Sequence, residues 1–380
     1  MMMPKMPFFK LRFGLLVAVL MLMAGTGKVL AQSAFREYPQ LFTTPLTYVV
    51  GYTQKPVKLD GDLNDDAWQQ AAWTSNFQDI EGTIKPTPKY QTRVKMLWND
   101  SCLYIAAELK EPHVWATLKK HDDIIFNDND FEVFIDPQNN THQYYEFEVN
   151  ALNTLFDLFL NKPYRNLGNA MINWNAEGFR SAVKVQGTLN NPADTDEGWT
   201  VEIAIPFKAL NLNKLPQAPA ENTTWRINFS RVEWDHQVVD GKYVRATDKT
   251  GKRLPEHNWV WSAQGVVNMH YPERWGYLQF TKQVATAQLP ASNSISYTEL
   301  QKQYLWLIYY KQKAYHSRYH HYAVDLKQLD MAPEVKVKGQ PNNLWLEATG
   351  RLFLARITNK GEQQGWAINH DGLIHWISKP

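Results

Sequence analysis

Thr92-Arg93-Val94-Lys95-Met96-Leu97-Trp98-Asn99-Asp100 is the stretch on which the fold turns. Thr92, Val94, Met96 and Trp98 recur at a period of two and run into Asn99-Asp100, a turn signal. Leu103, Ile105, Ala107 and Leu109 alternate on the far side, so the pair predicts a β-hairpin. Working outward, the same period returns in Phe131, Val133 and Ile135 before Pro137, and in Tyr145, Phe147 and Val149. It returns again in Trp199, Val201, Ile203, Ile205 and Phe207, in Trp225, Ile227 and Phe229, and from Tyr277 to Phe280. Many short alternating strands separated by turn clusters predict a mainly β domain over residues 48–280, a two-sheet antiparallel β-sandwich. One short helix is expected near Asn64 to Ala72, where Ala67, Trp68, Ala71 and Ala72 share a face.

The flanks read differently. Lys5, Lys10 and Arg12, the apolar run from Phe13 to Ala24 and the Val29-Leu30-Ala31 cleavage site give residues 1–31 the form of a signal peptide. A periplasmic or secreted location follows, with no later segment apolar enough to span a membrane. Residues 32–47 form an N-terminal segment, and residues 281–295 lack periodicity and read as a linker. In residues 296–380, Ser296 and Glu299 form a capping box that opens a helix expected to reach about Leu329. A small antiparallel sheet follows, with Leu352 and Leu354, Trp366 and Ile368, and Ile374 and Trp376 alternating, and Asp371-Gly372 as a two-residue hairpin turn. The C-terminal extension is thus one long helix and a small sheet of no evident role.

Composition narrows the function. Cys102 is the lone cysteine of 380 residues, so no internal disulfide forms. Forty basic residues against 38 acidic leave a net charge of +2 with no basic run, which argues against nucleic acid as the partner. The 15 Trp, 18 Tyr and 17 Phe suit both a sandwich core and stacking on the apolar faces of sugar rings. No nucleophile elbow or phosphate-binding glycine loop is present.

Alternation places a cluster of acids. Glu132 and Phe134 point away from Phe131, Val133 and Ile135, and Tyr144, Glu146, Glu148 and Asn150 point away from Tyr145, Phe147 and Val149. If the two strands pair, Glu132, Glu146, Glu148 and Asn150 crowd onto one face beside Tyr144. Facing carboxylates repel, so the face needs a cation, arginine or lysine partners (Arg165, Arg231 and Lys184 are candidates), or polyol hydroxyls. A solvated sheet face fits the same pattern. So does glycoside hydrolysis, in which two of Glu132, Glu146 and Glu148 at about 5–9 Å would act as acid and base or nucleophile.

Other segments carry narrower expectations. Asp122, Asp123, Asn127, Asp128, Asn129 and Asp130 form an oxygen-rich loop, with Asp128 and Asp130 as candidate calcium ligands or as caps of a polar turn. Trp174, among Asn173, Asn175 and Gly178, is a candidate exposed ring, whereas at least one of Trp259 and Trp261 belongs to the core. Glu233-Trp234-Asp235-His236 mixes groups that could bind a transition metal, and Met171, Met269 and His270 are the residues that a haem reading would nominate. His320-His321 reads as solvated.

The order of motifs resembles the family 9 carbohydrate-binding modules. Leu59-Asp60-Gly61-Asp62-Leu63-Asn64-Asp65-Asp66-Ala67-Trp68 is similar to their opening, and Asp100 with Leu103-Tyr104-Ile105 to their second strand pair. Asp130-Phe131-Glu132-Val133-Phe134-Ile135-Asp136 resembles their central acidic strand. Gly198-Trp199-Thr200-Val201-Glu202-Ile203-Ala204-Ile205-Pro206 resembles their penultimate signature, and Arg226-Ile227-Asn228-Phe229 and Pro272 to Gly276 fit the end. The resemblance implies a two-sheet fold that holds sugar between stacking aromatics and charged hydrogen-bonding groups, usually with structural calcium. The family's acid falls on Glu132. Its first stacking Trp falls on Phe126, its second near Met269, and its sugar-binding Arg on Glu148, a reversal of charge.

The expected protein is therefore an exported binder of an oligo- or polysaccharide, with Phe126, Glu132, Glu146, Glu148, Asn150, Trp174 and Met269 as candidate contacts. A glycoside hydrolase is the alternative. A haem-binding domain of the dopamine-monooxygenase (DOMON) type is the third class.

Overall fold

The computed structural model describes residues 35–210, 218–286 and 295–378. The signal peptide expected at 1–31 and most of the expected linker lie outside them. Among the described residues no helix is long and apolar enough to cross a membrane.

Residues 43–295 form one compact unit. Its strands are β1 (Thr47–Tyr52), β2 (Gln78–Asp79), β3 (Thr92–Trp98), β4 (Cys102–Lys110), β5 (Asp130–Asp136), β6 (Tyr144–Asn150) and β7 (Leu155–Leu160). They continue as β8 (Ala170–Met171), β9 (Arg180–Gln186), β10 (Gly198–Pro206), β11 (Thr224–Glu233), β12 (His236–Val239), β13 (Lys242–Arg245), β14 (His257–Val260) and β15 (Gly276–Val284).

The hairpin expected from Thr92 to Leu109 forms, with Thr92 opposite Leu109 and Trp98 opposite Leu103. Its turn closes because the Asn99 side-chain oxygen accepts from the Ser101 and Cys102 amides, both at 2.9 Å. Hydrogen bonding then runs β8-β7-β6-β5-β11-β15-β1-β3-β4-β10-β9, with β14 added on β11 and β2 on β14. The pairings are antiparallel except at β1, which is parallel to both β15 and β3. The sheet is therefore mixed, and β1 joins its two halves.

Those halves close on a single core. Val94, Met96 and Trp98 of one half meet Phe131, Val133 and Ile135 of the other, with Trp259 and Trp261 both inside. Burial of this many large apolar side chains is what makes a domain without disulfides stand alone.

The opening motif is explained by one acid. Glu202 of β10 accepts from the Asp60 amide at 2.9 Å, the Gly61 amide at 2.7 Å and the Trp68 indole at 2.6 Å. Gly61 sits at φ +80°, and a Cβ there would lie 2.6 Å from the Lys184 backbone nitrogen. The short helix α1 (Asp66–Gln69) follows and buries Ala67 and Trp68.

Residues 35–42 and 296–378 make a second compact unit. Ser296 caps helix α2 (Tyr297–Tyr319), its hydroxyl accepting the Glu299 amide at 3.2 Å. The helix stops well short of Leu329, because His320 takes the left-handed conformation at φ 60° and caps it. Strands β16 (Glu334–Val337), β17 (Gln340–Ala348), β18 (Phe353–Asn359), β19 (Gly365–Asn369) and β20 (Ile374–Ile377) form an antiparallel meander in that order. The last turn is longer than two residues. Asn369 bonds to Leu373 across His370, Asp371 and Gly372, and Gly372 supplies the positive φ of 77°.

Candidate functional site: a carboxylate-lined cavity

The register of β5 and β6 sets Glu132 directly opposite Glu148, Phe134 opposite Glu146 and Asp130 opposite Asn150. Their neighbours extend the rows, with Ser230 of β11 facing Glu132 and Phe156 of β7 facing Glu148. Odd-numbered residues of β5 and β6 fill the sandwich core, so the even-numbered acids stand on the outer face. That face is not solvated. A second apolar cluster, including Ile80, Phe134, Tyr144, Phe156, Met269 and Trp275, covers much of it.

What remains open is a cavity of about 500 Å³, into which Glu132, Glu146 and Glu148 project beside Phe126, Met269 and His270. A second cavity of about 470 Å³ adjoins it and shares Ile80, Glu256, Asn258 and Val267.

The rim is held in place. Phe126 is 40 % exposed, yet its amide donates to Glu148 at 2.8 Å and its carbonyl accepts the Trp234 indole at 2.8 Å. The Met269 carbonyl accepts the Trp275 indole at 2.7 Å, and its sulfur accepts from Gln264. His270 Nδ1 lies 3.0 Å from the Tyr144 hydroxyl, and its ring packs edge-on against Tyr164 at 4.5 Å.

Electrostatics make the face unusual. Asp130, Glu132, Glu146 and Glu148 are all buried, and among the described residues no lysine or arginine pairs with any of them. Burial pushes Glu132 up to about 7. Burial first, and then the charge of Glu132, raises Asp130, Glu146 and Glu148 well above the usual carboxylate range. Oxygens of Asp130, Glu132 and Glu148 lie within 4.8 Å of one another. At that separation two full charges repel by on the order of 3 kcal/mol at an effective dielectric near 20.

The three expected basic partners are engaged elsewhere. Arg165 donates to Glu273 and to the His270 carbonyl, Lys184 pairs with Asp62, and Arg231 lies between Glu111 and Glu233.

The structure thus brings together Phe126, Glu132, Glu146, Glu148 and Met269. Asn150 stands apart: it is fully buried, and its side chain bonds to Leu118, Asp128, Leu152 and Thr154. Trp174 is not an exposed ring; it packs on Tyr145 and Phe147 at 5.1 and 6.2 Å, on the core side. Asp128 is consumed as a cap, accepting from the Thr117 and Leu118 amides, the Thr117 hydroxyl and Asn150. Asp130, its partner in the expected calcium loop, joins the acid cluster instead. Met171 is exposed, and Met269 and His270 are adjacent on one rim rather than facing each other across a haem-sized slot.

Several lining residues escaped sequence reasoning. Ile80, Tyr164, Phe156, Glu256, Asn258 and Asn268 come from short strands and loops in which no periodicity fixes a facing. Asp130 carried a usable signal, since it shares the parity of Glu132.

A mixed β-sandwich with an acid- and aromatic-lined cavity on an outer sheet face has the form of a small-ligand site. The model of the family described as carbohydrate family 9 binding domain-like matches residues 59–282, and the chain belongs to that family. It is 25 % identical over 201 residues to an exoglucanase XynX of Acetivibrio thermocellus, covering 53 % of this chain and 14 % of that protein. It is 25 % identical over 198 residues to an endo-1,4-beta-xylanase A of Thermoanaerobacterium saccharolyticum, covering 49 % of this chain and 15 % of that protein. Among solved structures it is similar to a family 9 carbohydrate-binding module of Caldicellulosiruptor kristjanssonii in complex with glucose. That likeness has 17 % identity and a TM-score of 0.38, and it covers 64 % of this chain and 99 % of the module.

Proposed function

We propose that the protein is an exported carbohydrate-binding protein that holds a glycan in the Glu132–Glu148 cavity. The observation that carries this reading is the convergence of buried carboxylates with Phe126, Phe156 and Tyr164 around one cavity, inside the segment that the family matches. Carboxylates accept hydrogen bonds from sugar hydroxyls, and ring faces cover the apolar side of a pyranose. Glu132 supplies the acid, Phe126 one platform and Met269 the apolar contact across the opening. The adjoining cavity along Asn258 and Glu256 gives a chain of more than one sugar unit somewhere to continue. The matched relatives make β-linked cell-wall glucans and xylans the first ligands to try. The signal-peptide pattern of residues 1–31 supports export.

Glycoside hydrolysis fits the site less well. A retaining pair needs one carboxylate held ionised and the other protonated. Here burial raises all four acids together, and among the described residues no lysine or arginine pairs with any of them.

The test is a glycan array followed by calorimetry on the chain lacking residues 1–31. Binding of a defined glycan without release of reducing ends is expected. An array with no ligand, with and without added calcium, overturns the reading.

A further inference from the structure

We propose that Asp130, Glu132 and Glu148 hold a divalent cation of the calcium class on the inner wall of the cavity. Three carboxylates close together do not make a metal site by themselves. The second observation is that Oδ2 of Asp130 and Oε2 of Glu146 are buried without any hydrogen-bond partner. Both belong to side chains at least nine-tenths buried, and Glu146 projects into the cavity. A buried acceptor left unmade is costly, so these oxygens, that of Asp130 above all, call for a donor or a cation.

The remaining geometry divides the labour among the oxygens. Oδ1 of Asp130 accepts the Val232 amide at 3.2 Å, and Oε2 of Glu148 accepts the Phe126 amide at 2.8 Å. Each carboxylate is thereby oriented through one oxygen and has the other left for an ion, the arrangement that supports metal ligands generally. Oxygens within 4.8 Å of one another fit inside a calcium coordination sphere, whose Ca–O distance is about 2.4 Å. All-oxygen, anionic ligands favour calcium over softer metals, and calcium tolerates the irregular angles of a cross-strand cluster better than magnesium does.

Glu132 and Glu148 line the cavity, so the ion's remaining coordination positions face the opening. They would take water or two neighbouring sugar hydroxyls, a step that rests on the carbohydrate reading above.

Calorimetric titration of the chelated, dialysed chain with calcium chloride tests the site directly, with magnesium chloride as a parallel arm. One calcium per chain is expected, with a higher melting temperature and weaker binding of magnesium. Asp130→Asn and Glu148→Gln, each folded as wild type in chelator by circular dichroism, should bind calcium at least tenfold more weakly. Absence of calcium binding at millimolar concentration, or unchanged binding in both variants, overturns the proposal. If a variant fails to fold, a wild-type crystal grown with terbium decides: the anomalous peak lies among the three carboxylates or the site is wrong. The two readings also fail separately. Calcium bound at this cluster with no glycan on the array leaves the ion and removes the sugar. Glycan bound equally in chelator and in calcium leaves the sugar and removes the ion's part in holding it.

Discussion

Two clusters of buried acid lie on neighbouring parts of this sandwich, and they differ in one respect. Around Arg231, the carboxylates of Glu111 and Glu233 both receive the guanidinium, which also donates to the Thr92 hydroxyl at 3.1 Å and the Lys110 carbonyl at 2.9 Å. Around Glu132, four acids gather with no lysine or arginine paired to them among the described residues. Ser230 faces Glu132 across the β5–β11 ladder, so Arg231, the next residue, points to the other side of the same strand. One strand therefore separates a cluster that carries its own cation from one that does not. The first is scaffold, complete within the chain. The second has no such cation among the described residues.

The contrast can be broken most forcefully at Arg231. Arg231→Met should cost about 3–5 kcal/mol of stability by stranding two buried carboxylates, read from urea denaturation. A loss below about 1 kcal/mol would show that the two clusters are not so different. His270 gives the next largest effect, since its Nε2 lies 4.0 Å from Glu146 and it is the nearest candidate for a missing cation. Burial, aided by Arg165, depresses its pKa to about 4. A depressed imidazole contributes stability that is full above pH 6.5 and is lost as the pH falls from 6.5 towards 4, on the order of 3 kcal/mol in all. His270→Gln should flatten that acid limb. Were the limb unchanged, His270 would be charged in the fold and would neutralise Glu146 itself.

Glu148→Gln sharpens the comparison further. In chelator at pH 8 it should raise stability by about 1 kcal/mol, because it removes a carboxyl whose ionisation is disfavoured by burial and by the facing Glu132, and keeps an oxygen for the Phe126 amide. A loss of stability would mean that Glu148 is already compensated. The smallest effect separates rim from core. Phe126→Ala should weaken glycan binding by roughly fivefold with little change in stability, as loss of one ring contact predicts. Trp174→Ala should do the reverse, costing about 2 kcal/mol and leaving affinity alone.

Much of this was legible in the sequence, and the reason is the period of two. A strand with one face on a core announces that face, and parity then gives the other. In this way Phe131, Val133 and Ile135 fixed the facing of Glu132, and Tyr145, Phe147 and Val149 that of Glu148, leaving only the pairing of the two strands to bring them onto one surface. The same logic failed at Trp174 and Asn150 for different reasons. Trp174 sits in a turn, where polar neighbours do not tell which way a ring folds back. Asn150 has the right parity, but it ends its strand and is consumed by the backbone of the loops at that end. The fate of Arg231 was also hidden, since its two acids come from residues 111 and 233, far apart and next door. The parallel placement of β1 follows from closure of the sheet, which no local pattern encodes.

That placement has a kinetic consequence. Thr47 pairs with Tyr277, so the seam between the two halves joins residues about as far apart as the domain allows. In the other unit Phe35 packs on Tyr304 at 5.1 Å and Glu37 pairs with Lys311, again early chain against late. Contacts of such long sequence separation form slowly, after local hairpins such as β3–β4. While its late residues are still being synthesised, the polypeptide has hairpins but no closed sheet. The β1 seam therefore closes only after residues near Tyr277 have been made, and the two halves of the sheet join last.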